Sequence, residues 1–274
     1  MTAVIPDGGR EAHHRVELIM GMPIEIDVRD PDVDPAALER VYDWFRWVDV
    51  TFSTYRTDSE ISRLNRQELS LERTQPAVRE VLDRCDELRA ETEGYFDIHA
   101  PHLPDHARTW DADLFPEAVD PAGLVKGWSV DRAAEILERH GSRNYSINAG
   151  GDVRVRGGAL PETRWRVGIR HPYLLDKLAA VVVARDLAIA TSGTYIRGEH
   201  ITDPHTGVCP AGVLSVTVTG PDLATADAYA TAAFAMGEDA PAWTASLPLR
   251  GYEAMTILAD ETVLLTEGFP KEPA

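Results

Sequence analysis

The stretch NYSINAGGDVRVR (residues 144–156) decides the kind of sheet that this chain builds. Apolar segments stand on both sides of Gly150 and Gly151, and a glycine pair in that position is typical of a two-residue β-hairpin turn. Strands joined by so short a turn must be antiparallel, because a parallel pair needs a long crossover connection. We therefore interpret Gly150-Gly151-Asp152 as a hairpin turn.

The same kinds of pattern extend from this stretch in both directions. Period-two segments predict strands at residues 164–170, 178–184, 187–190 and 213–219, a hairpin near 256–265, and two strand segments joined at a bulge or bend over 15–29. Apolar residues at helical spacing predict helices at 35–50, 76–92, 126–140, 224–236 and 239–247. Strands that arrive as hairpins, with helices between the groups, favour an α+β fold.

That fold class is a mixed arrangement of mostly antiparallel sheets flanked by helices, in a single compact unit. The chain has 274 residues and shows no Pro/Gly/Ser-rich linker that would separate two domains. We expect residues 1–14 to be a disordered tail and residues 15–268 to form the one domain.

Charge and composition exclude several classes of partner. The net charge is −18, with acidic residues along the whole chain, so the surface repels nucleic acid and anionic membranes. No apolar run is long enough for a membrane span, and the first residues lack the basic and apolar pattern of a signal peptide. We therefore expect a cytoplasmic protein with no nucleic-acid partner and no membrane insertion.

Two dense polar clusters point to an active site. Thr191, Ser192 and Gly193 follow an apolar strand and lead on to a segment that is rich in hydroxyl groups and contains His200. The second cluster, residues 226–232, lies on an alanine-rich helix. Because a protein core does not favour such groups, the clusters indicate an enzyme that acts on a phosphorylated ligand.

Taken one by one, these polar residues leave alternatives open. Asp227 and Thr231 share one helix face, which suits a hard cation such as Mg²⁺, yet Asp227 also suits a helix cap. Lys126 follows a turn of small residues at a predicted helix start, which suits a phosphate or a solvated lysine. His200 suits a general base, a hydrogen-bond donor to a phosphate, or an ordinary loop histidine.

The order of the motifs is more specific than any one of them. From about residue 16 to residue 265 the chain resembles the FAD:protein FMN transferase (ApbE) family. The matching segments occur in the family's order: Met20-Gly21, Phe52 to Tyr55 with Asp58 to Asn65, Gly94 to Asp97, Asp120 to Gly127 with Asp131, Asn148 to Asp152, Trp165 to Ile169, Thr191 to Gly193, His200 to Gly207, and Ala226 to Ala232 with Met236-Gly237.

The resemblance implies an ApbE-like, T-fold-like architecture and a defined reaction. FAD is the substrate, and its diphosphate is cleaved with the help of Mg²⁺. The FMN half passes to a threonine or serine hydroxyl of an acceptor flavoprotein, and AMP leaves. Two alternatives stay open, namely an FAD diphosphatase that forms FMN and AMP, and a non-catalytic flavin-binding homologue.

The resemblance also implies roles for individual residues. Lys126, His200 and Asp227 would carry catalysis, with His200 beside the diphosphate as the proton acceptor. The carbonyl of Gly123 and the side chains of Asp227 and Thr231 would bind the metal. Met20 and Tyr55 would flank the flavin. The complete set of predicted FAD contacts is Met20, Tyr55, Tyr95, Phe96, Asp97, Asp120, Lys126, Thr191, Ser192, His200 and Ile201.

Three positions depart from the family's usual pattern. Met22 stands where a threonine is usual, and Ala122 replaces the first glycine of the turn before Lys126. His99 ends the segment Phe96-Asp-Ile-His99, where the family usually has Phe-Asp-Pro-Thr. We expect the Ala122 change to be mild. His99 changes the polarity of the loop next to the predicted nucleotide site.

Overall fold

The computed structural model describes residues 2–4, 13–99, 114–115, 117–159, 163–174, 176–193 and 201–272. Its strands are β1 (Thr2–Val4), β2 (His13–Ile19), β3 (Met22–Val28), β4 (Tyr145–Ala149), β5 (Asp152–Arg156), β6 (Trp165–Arg170), β7 (Leu178–Ala184), β8 (Leu187–Gly193), β9 (Val213–Gly220), β10 (Glu253–Leu258) and β11 (Val263–Leu265). They form an eight-stranded sheet in the order β11-β10-β9-β8-β5-β4-β3-β2 and a three-stranded sheet in the order β1-β6-β7.

Every paired strand in both sheets is antiparallel, which confirms the predicted fold class. The hairpin at the centre of the large sheet is built as predicted. Ala149 pairs with Asp152 across the turn, and Gly150 and Gly151 both have positive φ, at 59° and 107°. A turn with two positive φ values matches the twist of the flanking strands and favours glycine.

The first two strands of the large sheet differ from the prediction. Residues 15–29 were expected to form two strand segments joined at a bulge or bend, but β2 and β3 form a full hairpin with Ile19 opposite Met22. Met20 and Gly21 make its turn with positive φ, at 54° and 70°. A non-glycine residue tolerates this backbone region at a cost that the rest of the hairpin must offset.

The helices are α1 (Pro35–Phe52), α2 (Glu60–Asn65), α3 (Pro76–Glu91), α4 (Ala122–Arg139), α5 (Leu223–Ala235) and α6 (Ala240–Thr244). At the start of α1, Asp34 accepts a hydrogen bond from the backbone N–H of Ala36, and Pro35 is the first helical residue. The helix α4 begins at Ala122, one turn before the predicted start near Lys126. Lys126 therefore lies in the second turn of α4 and not at its N-terminus.

Helices cover one face of the large sheet, and the small sheet packs on part of its other face. The main core joins β3, β4 and β9 to α1, α4 and α5, and a second core joins the two sheets through Val153, Trp165 and Met255. Full burial of a large aliphatic side chain contributes about 1.5–3 kcal/mol. The alanine-rich helix α5 is buried on nearly every side, so its polar residues are buried as well.

The N-terminal residues that the structure describes differ from the predicted tail. Thr2–Val4 forms β1, which pairs with β6, and the buried Thr2 donates a backbone hydrogen bond to the Gly151 carbonyl oxygen at 3.2 Å. A strand so short has no signal in the local sequence, because its partner lies far away along the chain. Among the helices of the described residues, none is long and apolar enough to cross a membrane.

Candidate functional site

Three charged side chains from three elements meet beside the large sheet. The ammonium of Lys126, on α4, pairs with the Asp152 carboxylate at the start of β5 and lies 3.3 Å from Oδ1 of Asp227 on α5. Asp152 and Asp227 are only 2% and 3% exposed. Buried carboxylates of this kind must be paired or must bind cations.

The close approach of α4 and α5 brings Lys126 and Asp227 together. At Gly127 an added Cβ would lie 2.7 Å from the carbonyl carbon of Leu223 and 2.8 Å from the Cα of Ala224. Only glycine allows the two helix backbones to come this near. Lys126 precedes this contact on α4, and Asp227 lies one turn after Leu223 on α5.

Hydroxyl groups continue the charged cluster along β8 and α5. The backbone N–H of Thr191 donates to Oδ1 of Asp152 at 3.1 Å, and the Thr191 hydroxyl is hydrogen-bonded to Thr217 at 2.9 Å. The Ser192 hydroxyl lies 3.3 Å from that of Thr231, which stands one turn after Asp227. The predicted residues Lys126, Thr191, Ser192, Asp227 and Thr231 are therefore neighbours.

The donor set of this cluster fits a hard divalent cation. It brings two buried carboxylates together with hydroxyl oxygens, and such hard oxygen ligands suit a hard cation. Within the described ranges, no group of three or more His, Cys, Asp or Glu side chains could hold a metal ion. A Mg²⁺ ion that also binds phosphate and water needs only a few oxygen ligands from the protein.

Gly123, the third predicted metal ligand, lies in the first turn of α4. The ring of Phe96 would be 3.1 Å from a Cβ added at this position. This packing is a second reason for a glycine there, beside its predicted role as a metal ligand, which stays a prediction.

Met20 and Tyr55 lie towards the same end of the large sheet as the Gly150–Gly151 turn. Arg15 pairs with Glu39 and Glu17 pairs with Arg46, so α1 runs in the same direction as β2. The residues after α1 therefore lie towards the Met20 turn. Tyr55 is 57% exposed, so its ring is available to a ligand.

Four of the residues predicted to contact FAD lie in the segment before α4, and each is held there by interactions within the protein. Phe96 is buried against the first turn of α4, and the edge of the Tyr95 ring packs on His205 with the centroids 4.6 Å apart. Asp97 pairs with Arg89 at 3.0 Å. Asp120 accepts a hydrogen bond from the backbone N–H of Ala122 at 3.1 Å. These contacts shape the loop, and the FAD contacts stay predictions.

The remaining predicted residues are His200 and Ile201. His200 lies outside the described residues. Ile201 is half-buried and packs against the main core. The structure therefore leaves the proton acceptor as a prediction.

The three departures from the family pattern have different surroundings. Met22 is buried, and its sulfur would be 2.7 Å from a Cβ added at Gly150, so it fills the space beside the hairpin turn. His99 lines a cavity of about 310 Å³ together with Ile98 and Asn65. Ala122 opens α4 and donates its backbone N–H to Asp120.

Sequence reasoning missed Asp152 as a site residue. The Gly-Gly pair was interpreted as a hairpin turn, which is correct, but the turn also places the next carboxylate against Lys126. A carboxylate directly after a tight turn between two apolar strands carries no local signal that it faces a lysine on another element. Thr217, which pairs with Thr191, was also missed because it lies within an apolar strand.

Comparison with known proteins gives one family. The sequence model of the ApbE family matches residues 20–117 and 114–256. A Vibrio cholerae protein named FAD:protein FMN transferase is 31% identical over 236 residues, which cover 68% of this chain and 69% of the relative. A Treponema pallidum protein of the same name is 31% identical over 212 residues, covering 70% of this chain. The chain spans 56% of the length of that second relative.

Solved structures show the same fold. The crystal structure of the ApbE protein from Thermotoga maritima matches with a TM-score of 0.82 at 23% identity, covering 96% of this chain and 100% of that one. The flavin transferase ApbE from Vibrio cholerae matches with a TM-score of 0.79 at 27% identity, covering 94% and 98%. The matches extend over nearly the whole of both chains, so the likeness concerns the complete architecture.

Proposed function

Because the chain belongs to the ApbE family and is an enzyme of the FAD:protein FMN transferase type, we propose that it transfers FMN from FAD to a protein hydroxyl. The acceptor oxygen of a threonine or serine forms a bond to the FMN phosphorus. The bond from that phosphorus to the bridging oxygen of the diphosphate breaks, and AMP leaves. The acceptor is a flavoprotein that carries the modified residue.

One observation carries this proposal, namely the meeting of Lys126 with the buried Asp152 and Asp227. The two carboxylates hold the ammonium in place, so it is ready to meet the oxygens of a diphosphate as a point charge. Phosphoryl transfer depends mainly on such positioning and on charge neutralisation. The hydroxyls of Ser192 and Thr231 add hydrogen-bond donors next to the same space.

We propose Mg²⁺ as the metal, held by Asp227, Thr231 and the carbonyl of Gly123. When bound, Mg²⁺ supplies positive charge to the diphosphate oxygens and favours departure of the leaving group. Asp152 is not one of the proposed metal ligands, because one of its oxygens pairs with Lys126 and the other accepts the Thr191 N–H. It fixes the lysine and keeps it beside Asp227.

The flavin end of FAD is proposed to lie at the end of the large sheet towards which Met20 and Tyr55 both lie. The exposed Tyr55 ring offers a flat apolar surface on which an isoalloxazine can stack. The proposed proton acceptor is His200, because a hydroxyl that attacks phosphorus must lose its proton. A cytoplasmic location stays a prediction from the sequence.

An AMP-release assay tests the proposal. We expect the protein, given FAD, Mg²⁺ and an acceptor flavoprotein, to release AMP in step with an acceptor mass gain of one FMN. Release of AMP at the same rate without acceptor would identify an FAD diphosphatase instead. No AMP under either condition would refute both catalytic activities and leave flavin binding alone.

A pair of lysine variants tests the site itself. Lys126→Met removes the charge between the two carboxylates and is expected to lower turnover by about 100-fold or more, as loss of a group that stabilises transition-state charge does. Lys177→Met removes an exposed lysine outside the site and serves as the matched control. Equal activity of the two variants would remove Lys126 from the mechanism.

A further inference from the structure

The first turn of α5 is attached to α4 by the side chain of Asp131. Its two carboxylate oxygens accept the backbone N–H of Leu223, at 3.0 and 2.8 Å, and Oδ2 accepts that of Ala224 at 2.9 Å. Asp222 supplies the ordinary cap of the same helix by accepting the N–H of Thr225 at 2.8 Å. The free N–H groups of this helix start are thus shared between two carboxylates from different elements.

Arg154 ties β5 to the same point. Its Nη1 lies 2.9 Å from Oδ1 of Asp131 and donates to the Pro221 carbonyl oxygen at 2.8 Å. Both side chains of this ion pair are largely buried, with Asp131 18% and Arg154 20% exposed. The contact therefore joins α4, β5 and the start of α5, which we call the Asp131 clamp.

The clamp connects the same three elements that carry the charged cluster. Asp131 lies five residues after Lys126 on α4, Arg154 lies two residues after Asp152 on β5, and Leu223 lies one helical turn before Asp227 on α5. A shift of any one element at the clamp is transmitted to the cluster, because helices and strands move as rigid units over such short distances. The Gly127 contact, where the two helix backbones almost touch, lies between the clamp and Lys126.

We propose that Asp131 is a positioning residue of the transfer reaction, which sets the spacing of Lys126, Asp152 and Asp227 by holding α5 and β5 against α4. The assignment rests on the proposed function of the cluster. It gives Asp131 a role that a simple helix cap does not have, since Asp222 already caps α5.

The clamp needs the ionised form of Asp131. A carboxylate accepts the two N–H groups and the arginine together, whereas the protonated acid turns one acceptor into a donor that faces other donors. Burial raises the pKa of Asp131 to about 6, and the nearby Asp222 acts in the same direction. Arg154 and the N–H groups of Leu223 and Ala224 oppose that shift. The clamp is therefore expected to loosen as the pH falls through about 6.

Two variants at the start of α5 distinguish an effect on the positions of the site residues from an effect on the stability of the fold. Asp131→Asn removes the charge of the clamp, whereas Asp222→Asn removes the charge of the cap, whose side chain is hydrogen-bonded to Thr225 and Tyr252. Asp222→Asn is expected to lower the melting temperature, whereas Asp131→Asn is expected to keep or raise it at neutral pH, because burial of Asp131 disfavours its charged form. Only Asp131→Asn is expected to lower kcat and the Mg²⁺ affinity, each by about tenfold, a typical effect of losing a group that orients metal ligands.

The assays are AMP release with acceptor for kcat and for the KM of FAD, and calorimetric titration with Mg²⁺ in the absence of FAD. The Mg²⁺ affinity should weaken below about pH 6 in the wild type, and at a somewhat lower pH in Asp222→Asn because Asp222 raises the pKa of Asp131. This loss should be absent in Asp131→Asn, and His200, the proposed proton acceptor, is not among the proposed metal ligands. Equal losses of kcat in the two variants, or a wild-type kcat and Mg²⁺ affinity in Asp131→Asn, would overturn the assignment.

A second variant covers the case in which Asp131→Asn does not fold. Arg154→Met weakens the clamp from β5 and should lower kcat and Mg²⁺ affinity in the same direction, and unchanged values would overturn the assignment. Failure of the proposed function gives a different result. A wild type that binds Mg²⁺ but releases no AMP would remove the transferase, while the Mg²⁺ titrations of the variants would still decide the clamp.

Discussion

Replacing Gly127 by alanine adds one carbon at the closest contact between α4 and α5. That carbon would lie 2.7 Å from the carbonyl carbon of Leu223 and 2.8 Å from the Cα of Ala224, about 0.7 and 0.6 Å short of the 3.4 Å at which ordinary contact begins. The neighbouring atoms belong to the backbone, so no change of rotamer relieves the clash. The two helices must move apart.

The separation acts directly on the charged cluster. Lys126 and Asp227 lie on either side of this contact and are 3.3 Å apart, so a shift of about 0.7 Å takes them beyond hydrogen-bond distance. A misplacement near 1 Å costs about 100-fold in rate. Overpacking destabilises by about 1–3 kcal/mol, and the better helix propensity of alanine offsets about 1 kcal/mol of that loss.

We therefore expect Gly127→Ala to stay folded, with a free energy of unfolding lowered by about 0–2 kcal/mol. Its kcat in the AMP-release assay should fall about 30- to 100-fold. Glu135→Ala, on the exposed face of the same helix, introduces the same residue without a new contact between helices and should keep wild-type activity. A Gly127→Ala variant that keeps more than about half of the wild-type kcat would refute the expected displacement, because its helices must then separate without disturbing Lys126.

Three further predictions concern single groups. Asp152→Asn keeps an oxygen for the Thr191 N–H but loses the charge beside Lys126. Steady-state kinetics should show a kcat lower by about 10- to 100-fold, which corresponds to the free energy of a hydrogen bond to a charged group. Tyr55→Ala should raise the KM for FAD about tenfold through lost stacking, with the melting temperature unchanged because the ring is exposed; an unchanged KM would place the flavin elsewhere. Wild-type kcat should fall below pH 6 because protonation of Asp131 loosens the clamp, while circular dichroism should still show a folded protein. Burial raises the pKa of Asp131 from 3.8 to about 6, so its protonated form favours the folded state; this stabilising contribution is complete below about pH 4 and is lost as the pH rises through 6. Unfolding that coincides with the loss of kcat would contradict this account.

Much of the fold was predictable because its signals are local. The period-two segments around Gly150 and Gly151 and the three- and four-residue spacing of α1 and α3 act over a single turn or strand. The errors arose where the local signal was weak or absent. The start of α4 was predicted one turn late, because the small residues Ala122 and Gly123 carry little periodic signal, and β1 was missed because its partner β6 lies far away in sequence.

The sequence predicted which types of residue the candidate site contains, but only some of the individual residues. The resemblance and the four-residue spacing of Asp227 and Thr231 identified those residues together with Lys126, and the structure places them in one cluster with Ser192. Asp152 was assigned only to its turn, since nothing local distinguishes a turn carboxylate that faces solvent from one that faces a lysine on another element.

By itself, the sequence determined the antiparallel pairing at residues 144–156, the type of most helices and strands, and the polar groups available for chemistry. Only the tertiary structure decided which of those groups meet. Lys126, Asp152 and Asp227 come together because Gly127 lets two helices approach and because Asp131 and Arg154 join those helices to β5. Contacts between residues far apart in sequence depend on the packing of whole elements, and local periodicity records only the side of each element that is buried.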